Sequence, residues 1–275
     1  MDISKAKVII IILLAAFNIF LLANIFIISS GQDVHAKTIK NAEIILKNRG
    51  ITLECDIPRT ASGSRRLEYG NDGIDRKGMA KKLLGKEYEI SDEGEIFEHS
   101  GKKVVFKNSI EFEYTDEQPA SDVDIRSDDK AAAAALKFLK DKGLLQGKYV
   151  VDEITRDADG NATVYLVEKY DNMLLFDNYC IVTIGEKGVS RLIYKKLEVK
   201  GFTQNKVEEF EAYQALLGYF EGDGDRVITA IDNGYKLDGH SMDAIESIGL
   251  LPVWRIKLKG EAEPVYIRAN DLKYK

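Results

Sequence analysis

The stretch SDDKAAAAALKFLKDKGLLQGKYVVDEITRDADGNATVYLVEKYDNMLLFDNYCIVTIGEKGVSRLIYKKLEVK, residues 127–200, decides the fold class. Ser127 is a good N-cap, and Asp128 and Asp129 fall in the first turn, where the helix dipole favours anions. Ala131 to Ala135 are strong helix formers, and Leu136, Phe138 and Leu139 supply an apolar side. Gly143 ends the helix, with Leu144 behind it. Four strand-like runs follow, Tyr149–Thr155, Ala162–Lys169, Leu174–Ile184 and Val189–Val199. Asp159-Gly160, Asp171-Asn172 and Gly185…Gly188 punctuate them. The spacing predicts a four-stranded meander with a helix on one face, an α+β unit.

Working outward, the same pattern recurs on both sides. Residues 29–118 read as a first unit, with a helix over Val34–Arg49 that Asp33 caps and Gly50-Ile51 stops. A polar loop follows over Asp56–Asp75, then a short helix over Lys77–Leu84. Strands follow at Glu87–Ile90, Val104–Lys107 and Ile110–Tyr114. The acidic, Pro-containing run Thr115–Ser127 reads as a linker. Residues 201–275 read as a third unit. Asn205-x-x-Glu208 has the form of a capping box, opening a helix that runs to Phe220. Strands follow at Arg226–Ile231, Leu251–Leu258 and Val265–Arg268. With no strand–helix–strand alternation, a parallel α/β sheet is not expected.

Ahead of these units lies VIIIILLAAFNIFLLANIFII, Val8–Ile28, whose only polar residues are Asn18 and Asn24. As a helix it is roughly 31 Å long, against a hydrocarbon core of about 30 Å. The run exceeds the roughly 7–15 apolar residues of a signal peptide, so it reads as a single transmembrane helix and contact with the lipid bilayer. Lys5 and Lys7 precede it and Asp2 counts little, which orients residues 1–7 to the cytoplasm and the remainder outside, at the plasma membrane. Along this helix Ile11, Ala15, Asn18, Leu22 and Ile25 share a face at the spacing of a packing seam, and are candidate contacts for a partner helix. Asn18 lies mid-span, where it cannot reach headgroups.

Charge narrows the function. The chain carries 39 Lys+Arg and 45 Asp+Glu, a net of −6. Residues 1–28 hold only Asp2, Lys5 and Lys7, so the outer part carries −7. Nucleic acid needs a basic footprint, and none is present. His35, His99 and His240 are far apart, and none has a second ligand at metal spacing. Asp157-Ala158-Asp159-Gly160-Asn161 places its Gly too early for an EF-hand and reads as a hairpin turn. Glu221–Asp225 reads as a second acidic turn. Neither a nucleophile elbow nor a phosphate-binding glycine loop is present, so no catalytic, cofactor or metal site is assigned. Cys55 and Cys180, the only cysteines, leave a disulfide open.

Several short stretches together resemble one family. They are Met1-Asp2-x-Ser4-Lys5-x-Lys7 with Phe17–Leu21; Leu174-Leu175-Phe176-Asp177-Asn178; Asp232-Asn233-Gly234-Tyr235; Leu251-Pro252-Val253-Trp254-Arg255-Ile256; and Val265–Asn270. Their order and spacing resemble the YycI regulators of Gram-positive bacteria, in the wider YycH/YycI group. Ile3 stands where that family usually has Trp. The resemblance implies a single-span, non-catalytic protein that associates with a WalK-type sensor histidine kinase and a YycH-like membrane protein. It would thereby adjust two-component signalling to the cell wall. The other reading is a membrane-anchored extracytoplasmic binding module for cell-wall or peptide ligands. Trp254, the only Trp, reads as a core residue of its strand.

Overall fold

The computed structural model describes residues 3–59, 65–70, 72–206, 210–222, 224–237 and 247–268, with backbone alone at 3–9, 11, 25–35, 205 and 206. The architecture is α+β: four α-helices, one short 3-10 helix and fifteen strands among these residues, the strands mostly antiparallel.

One helix, α1 (Ile3–Asn48), takes in both the apolar run and the helix expected from Val34. Asp33 therefore lies inside a helix, not at the start of one. No proline interrupts Ser29–Asp33, and one helical glycine, Gly31, costs only about 1 kcal/mol. Helix propagation through the polar stretch is thus cheaper than a second nucleation. α1 stops as expected, with Gly50 at φ +82° and Gly50 N–H donating to Lys47 O. Among the described residues, no helix is long and apolar enough to cross a membrane.

The first unit continues with β1 (Ile51–Leu53), β2 (Arg65–Gly70), α2 (Arg76–Leu84), β3 (Glu89–Ser91), β4 (Ile96–His99), β5 (Lys102–Phe106) and β6 (Glu111–Asp116). The supposed loop over Asp56–Asp75 thus contains a strand. Leu67 and Tyr69 alternate inward and are buried, with only these two apolar residues to signal it. β4 also went unread, hidden among acidic turn residues. The stretch read as a linker is packed: Ser121 N–H and Val123 N–H donate to Lys187 O and Glu186 O, and Ile125 is buried.

The second unit follows its sequence closely: α3 (Asp128–Asp141), β7 (Lys148–Arg156), β8 (Ala162–Tyr170), β9 (Met173–Gly185) and β10 (Gly188–Lys195). Ser127 Oγ accepts from Lys130 N–H, and Gly143 at φ +63° lets Leu144 N–H reach Leu139 O. The β7–β8–β9–β10 meander is antiparallel throughout, and α3 packs on it through Ala131, Ala135 and Leu139.

The fourth run of that meander breaks in two. Lys196 and Leu197 separate β10 from β11 (Glu198–Lys206), which leaves for a second sheet. α4 (Ala212–Tyr219) starts later than the sequence suggested. Its capping box is Glu211 with Gln214, Asn205 sits in β11, and Glu208 lies outside the described residues. β12 (Arg226–Tyr235), β13 (Ser247–Leu250), β14 (Pro252–Leu258) and β15 (Val265–Arg268) complete the chain.

The three units do not close on themselves. Twelve strands form one sheet, and β11–β2–β13 form another. β6 of the first unit pairs with β10 of the second, and β9 of the second pairs in parallel with β12 of the third. β1 also pairs in parallel with β12, a pairing no local pattern signals. β9 is long enough to serve two neighbours on one edge: Tyr179–Gly185 face β10, and Leu174–Leu175 face β12.

Candidate functional site

The fork in β9 is where the quoted motifs meet. Gly234 and Tyr235 of β12 pair with Leu174 and Leu175. Asp232 and Asn233 pair with Arg255 and Trp254 of β14, which in turn face Tyr266 and Ile267 of β15. Gly234 has a reason to be glycine. A Cβ there would lie 2.2 Å from Leu174 O and 2.7 Å from the Phe176 ring.

Between Val167 and Glu168 of β8 the pairing with β9 jumps from Tyr179 to Leu175, so Phe176, Asp177 and Asn178 bulge out unpaired. A bulge re-aims side chains, and these three are all buried. Asn178 acts as a substitute strand partner. Its Oδ1 accepts from Leu197 N–H at 2.8 Å, and its Nδ2 donates to Leu197 O at 2.9 Å and to Glu168 Oε2 at 2.7 Å. Glu168 is further paired with Lys196. Asp177 accepts from Lys195 Nζ at 3.1 Å and from Leu237 N–H. Asp177 and Asn178 therefore pin the two points where the chain leaves the large sheet, after β10 and after β12.

Beside the bulge, Arg255 is 4% exposed and lies 4.6 Å from the Phe176 ring. It forks onto Asp152 at 2.6 and 2.9 Å and onto Asp232 at 2.7 and 3.1 Å. Lys257 adds a contact to Asp152 at 3.1 Å. Burial alone would raise the Asp152 carboxyl, but hydrogen bonds and charge from Arg255, with Lys257, outweigh it and hold the group below the usual carboxylate value. Burial pushes the Tyr266 phenol up to about 12 and also raises the Cys180 thiol. A cleft of about 640 Å³ opens over this junction, lined by Phe176, Asp177, Lys195, Arg255, Lys257 and Tyr266. These charges neutralise one another within the wall, so the chemistry here is that of a lock between units. Cys180 is buried and Cys55 half-buried; both are free thiols.

A model of the YycI family, described as YycI protein, matches residues 29–270. The chain belongs to the YycI family. It is a regulatory, non-catalytic family tied to the WalK kinase system. No curated protein matches this YycI family member. Among solved structures it is similar to an uncharacterized protein from Eubacterium rectale ATCC 33656. That match has TM-score 0.51 and 11% identity, covering 79% of this chain and 86% of the other. YycH from Bacillus subtilis matches with TM-score 0.47 and 13% identity, covering 76% of this chain and 56% of YycH. The Bacillus megaterium YpeB C-terminal domain matches with TM-score 0.43 and 12% identity, covering 73% and 95%. The likeness to the first is one of fold.

The other residues singled out in the sequence are scattered. Trp254 is 1% exposed, and its Nε1 donates to Phe210 O at 2.9 Å. Asn18 Nδ2 donates to Leu14 O at 2.9 Å, one turn back in its own helix. Ala15, Asn18 and Leu22 are exposed on α1, while the side chains of Ile11 and Ile25 lie outside the described residues. Asp157 accepts from Asp159 N–H and Asn161 N–H, closing a hairpin turn. Among the described residues no group of His, Cys, Asp and Glu could hold a metal ion. His99 ends β4, while His240 and the side chain of His35 lie outside the described residues. Sequence reading passed over the Glu168–Asn178–Lys196 network. The available signal was Asp177-Asn178, two polar residues inside an otherwise apolar strand.

Proposed function

We propose that this chain is a membrane-anchored regulator that modulates a WalK-type sensor histidine kinase, together with a YycH-like protein, and performs no catalysis itself. The observation that carries the proposal is family membership across residues 29–270. In this reading Val8–Ile28 crosses the plasma membrane, residues 1–7 lie in the cytoplasm, and the sheet domain stands outside. The described part of the run supports that: Ile12, Leu13, Phe17, Ile19, Phe20 and Leu22 are all more than half exposed, a surface that water penalises and lipid does not. In this reading the signal passes through a partner.

A continuous α1 gives that signal a route. Its last turns are fixed to the domain by the buried Ala42 and by Leu46, which shares one core with residues of α4 and β12, and by Arg49, whose Nη1 donates to Leu217 O and Phe220 O. A shift of the domain therefore moves the helix. The test is crosslinking in native membranes followed by pull-down and identification of partners. Recovery of a WalK-type kinase or a YycH-like protein is expected; recovery of neither overturns the proposal. Carbonate extraction should leave the chain in the membrane at full length.

A further inference from the structure

The cleft over the β9 fork, about 640 Å³, is within the roughly 300–1,000 Å³ of small-ligand sites. It has two walls. One is the face of the meander turned away from α3. Leu166, Cys180 and Val182 join the core beneath α3, so the alternate residues Tyr165, Val167, Tyr179 and Ile181 point the other way. Tyr165 pairs with Ile181, and Val167 with Tyr179, which sets the two phenol rings diagonally on one surface, each half-buried. The other wall is the hairpin from Lys257 to Tyr266, whose Tyr266 ring lies edge to face with Phe176 at 5.3 Å. The deep charges are engaged with one another: Arg255 with Asp152 and Asp232, and Lys195 with Asp177. A ligand of net charge would have to break a pair and strand its remaining member in the wall. What the pairs leave for a ligand are the ring faces, the phenol hydroxyls and the outer pair of Glu153 and Lys257, 3.3 Å apart.

We propose that this cleft binds a short, uncharged oligosaccharide. A pyranose has a flat C–H face and a rim of hydroxyls, and the cleft answers both. Tyr165, Tyr179 and Tyr266 supply flat ring surface with a hydroxyl at its edge, which suits a ligand half wet and half dry. Glu153 accepts from sugar hydroxyls and Lys257 donates to them, and both side chains stay partly exposed, so water completes the contacts. The paired charges select against acidic and basic ligands, and the rings select against a ligand without an apolar face. The proposal is independent of the kinase reading. A pull-down that recovers no kinase leaves it standing, and a failed sugar titration leaves the kinase reading standing.

The experiment uses the full chain in a zwitterionic detergent without a sugar headgroup, since a glycoside detergent would itself compete. The probe is tetra-N-acetylchitotetraose, titrated by calorimetry, with acetyl-tetraalanine-amide as an uncharged peptide control. Saturable binding of the tetrasaccharide alone is expected, nearly unchanged as salt is raised because the ligand carries no charge. Tyr165→Ala and Tyr179→Ala should each weaken it by about fivefold to tenfold, while Tyr165→Phe, which keeps the ring, should stay within about twofold of the parent. Glu153→Gln, at an exposed position, should weaken binding several-fold. Absence of saturable binding, a steep loss with salt, or full retention in both alanine variants overturns the proposal. So does equal or better binding of the peptide, which would reassign the cleft to a peptide ligand. Where an alanine variant fails to fold, Glu153→Gln decides: unchanged affinity there overturns the proposal.

Discussion

Gly234 and Asn178 do at residue scale what the motifs as a whole do for the molecule. With Leu174 O only 2.2 Å from the Cβ that alanine would add, Gly234→Ala forces β12 and β9 apart. Overpacking of this kind costs about 1–3 kcal/mol, and here main chain must yield. Asn178→Leu keeps the volume, strands Leu197 N–H and Leu197 O in a dry interior, and leaves Glu168 Oε2 to Lys196. Each such loss costs about 1–3 kcal/mol, so chemical denaturation should show this variant to be severely destabilised. Trp254→Ala removes a buried ring and should cost about 3–5 kcal/mol. Near-native stability with lost signalling would instead make Trp254 a contact residue. Asp152 supplies a pH test. Its folded carboxyl is held low, so its contribution is complete above the unfolded value of about 3.9 and is lost as pH falls through the folded value. Asp152→Asn should therefore be less stable at pH 7, with a flatter acid limb below about pH 4. Trp254 could be placed from sequence because an apolar strand surrounds it. The partners of Arg255 could not be: Asp152 lies 103 residues away, and nothing local to β7 marks it as an ion-pair partner.

At the scale of elements, legibility followed local chemistry. α3 and the hairpins of the meander were readable because capping residue, stop glycine and turn pairs all agree within a few residues. β2 was not, because a strand that buries two side chains among Arg, Ser and Gly looks like a loop until its neighbours β11 and β13 are known. The length of α1 was missed for the opposite reason: Ser29–Asp33 looks like a break, yet nothing in it forbids a helix. That continuity sharpens the test of the seam. Asn18 already satisfies one amide N–H on Leu14 O, which leaves its carbonyl oxygen and second N–H to serve a neighbouring helix. Contacts of this kind are worth about 0.6–2 kcal/mol in lipid. Asn18→Leu should preserve insertion and reduce co-purification of the kinase or YycH-like partner, with Asn24→Leu having less effect. Unchanged recovery at equal expression would place the contacts in the outer domain.

At the scale of the whole molecule, the three sequence units share their interior. One core joins α2, β4–β6, α3 and the meander. A second joins the end of α1 and β1 with α4, β12, β14 and β15. A third draws on β2, β9, the ends of β12 and β13. Sequence periodicity reveals which face of each element is apolar, but not which other element covers it, so three self-contained units looked sufficient. The consequence is measurable. Residues 127–200 expressed alone would carry the complete meander and α3. They would also bare Phe112's stacking partner Tyr194, 5.1 Å away in the intact chain, and the edge that β6 covers. They would lose β12 from the start of β9 and leave Asp177 without the Leu237 N–H. That fragment should remain unfolded or aggregate through its open edges. Residues 29–275 should instead unfold in a single cooperative transition, with calorimetric and van't Hoff enthalpies in agreement. Chelator should leave the midpoint where it is. Because β1 must find β12 some 175 residues away, refolding should be slow, with long-range pairing limiting the rate. Two resolved transitions in the intact domain, or a stably folded 127–200 fragment, would show that the units are independent and that the β9 fork is a contact surface between them, not their common core.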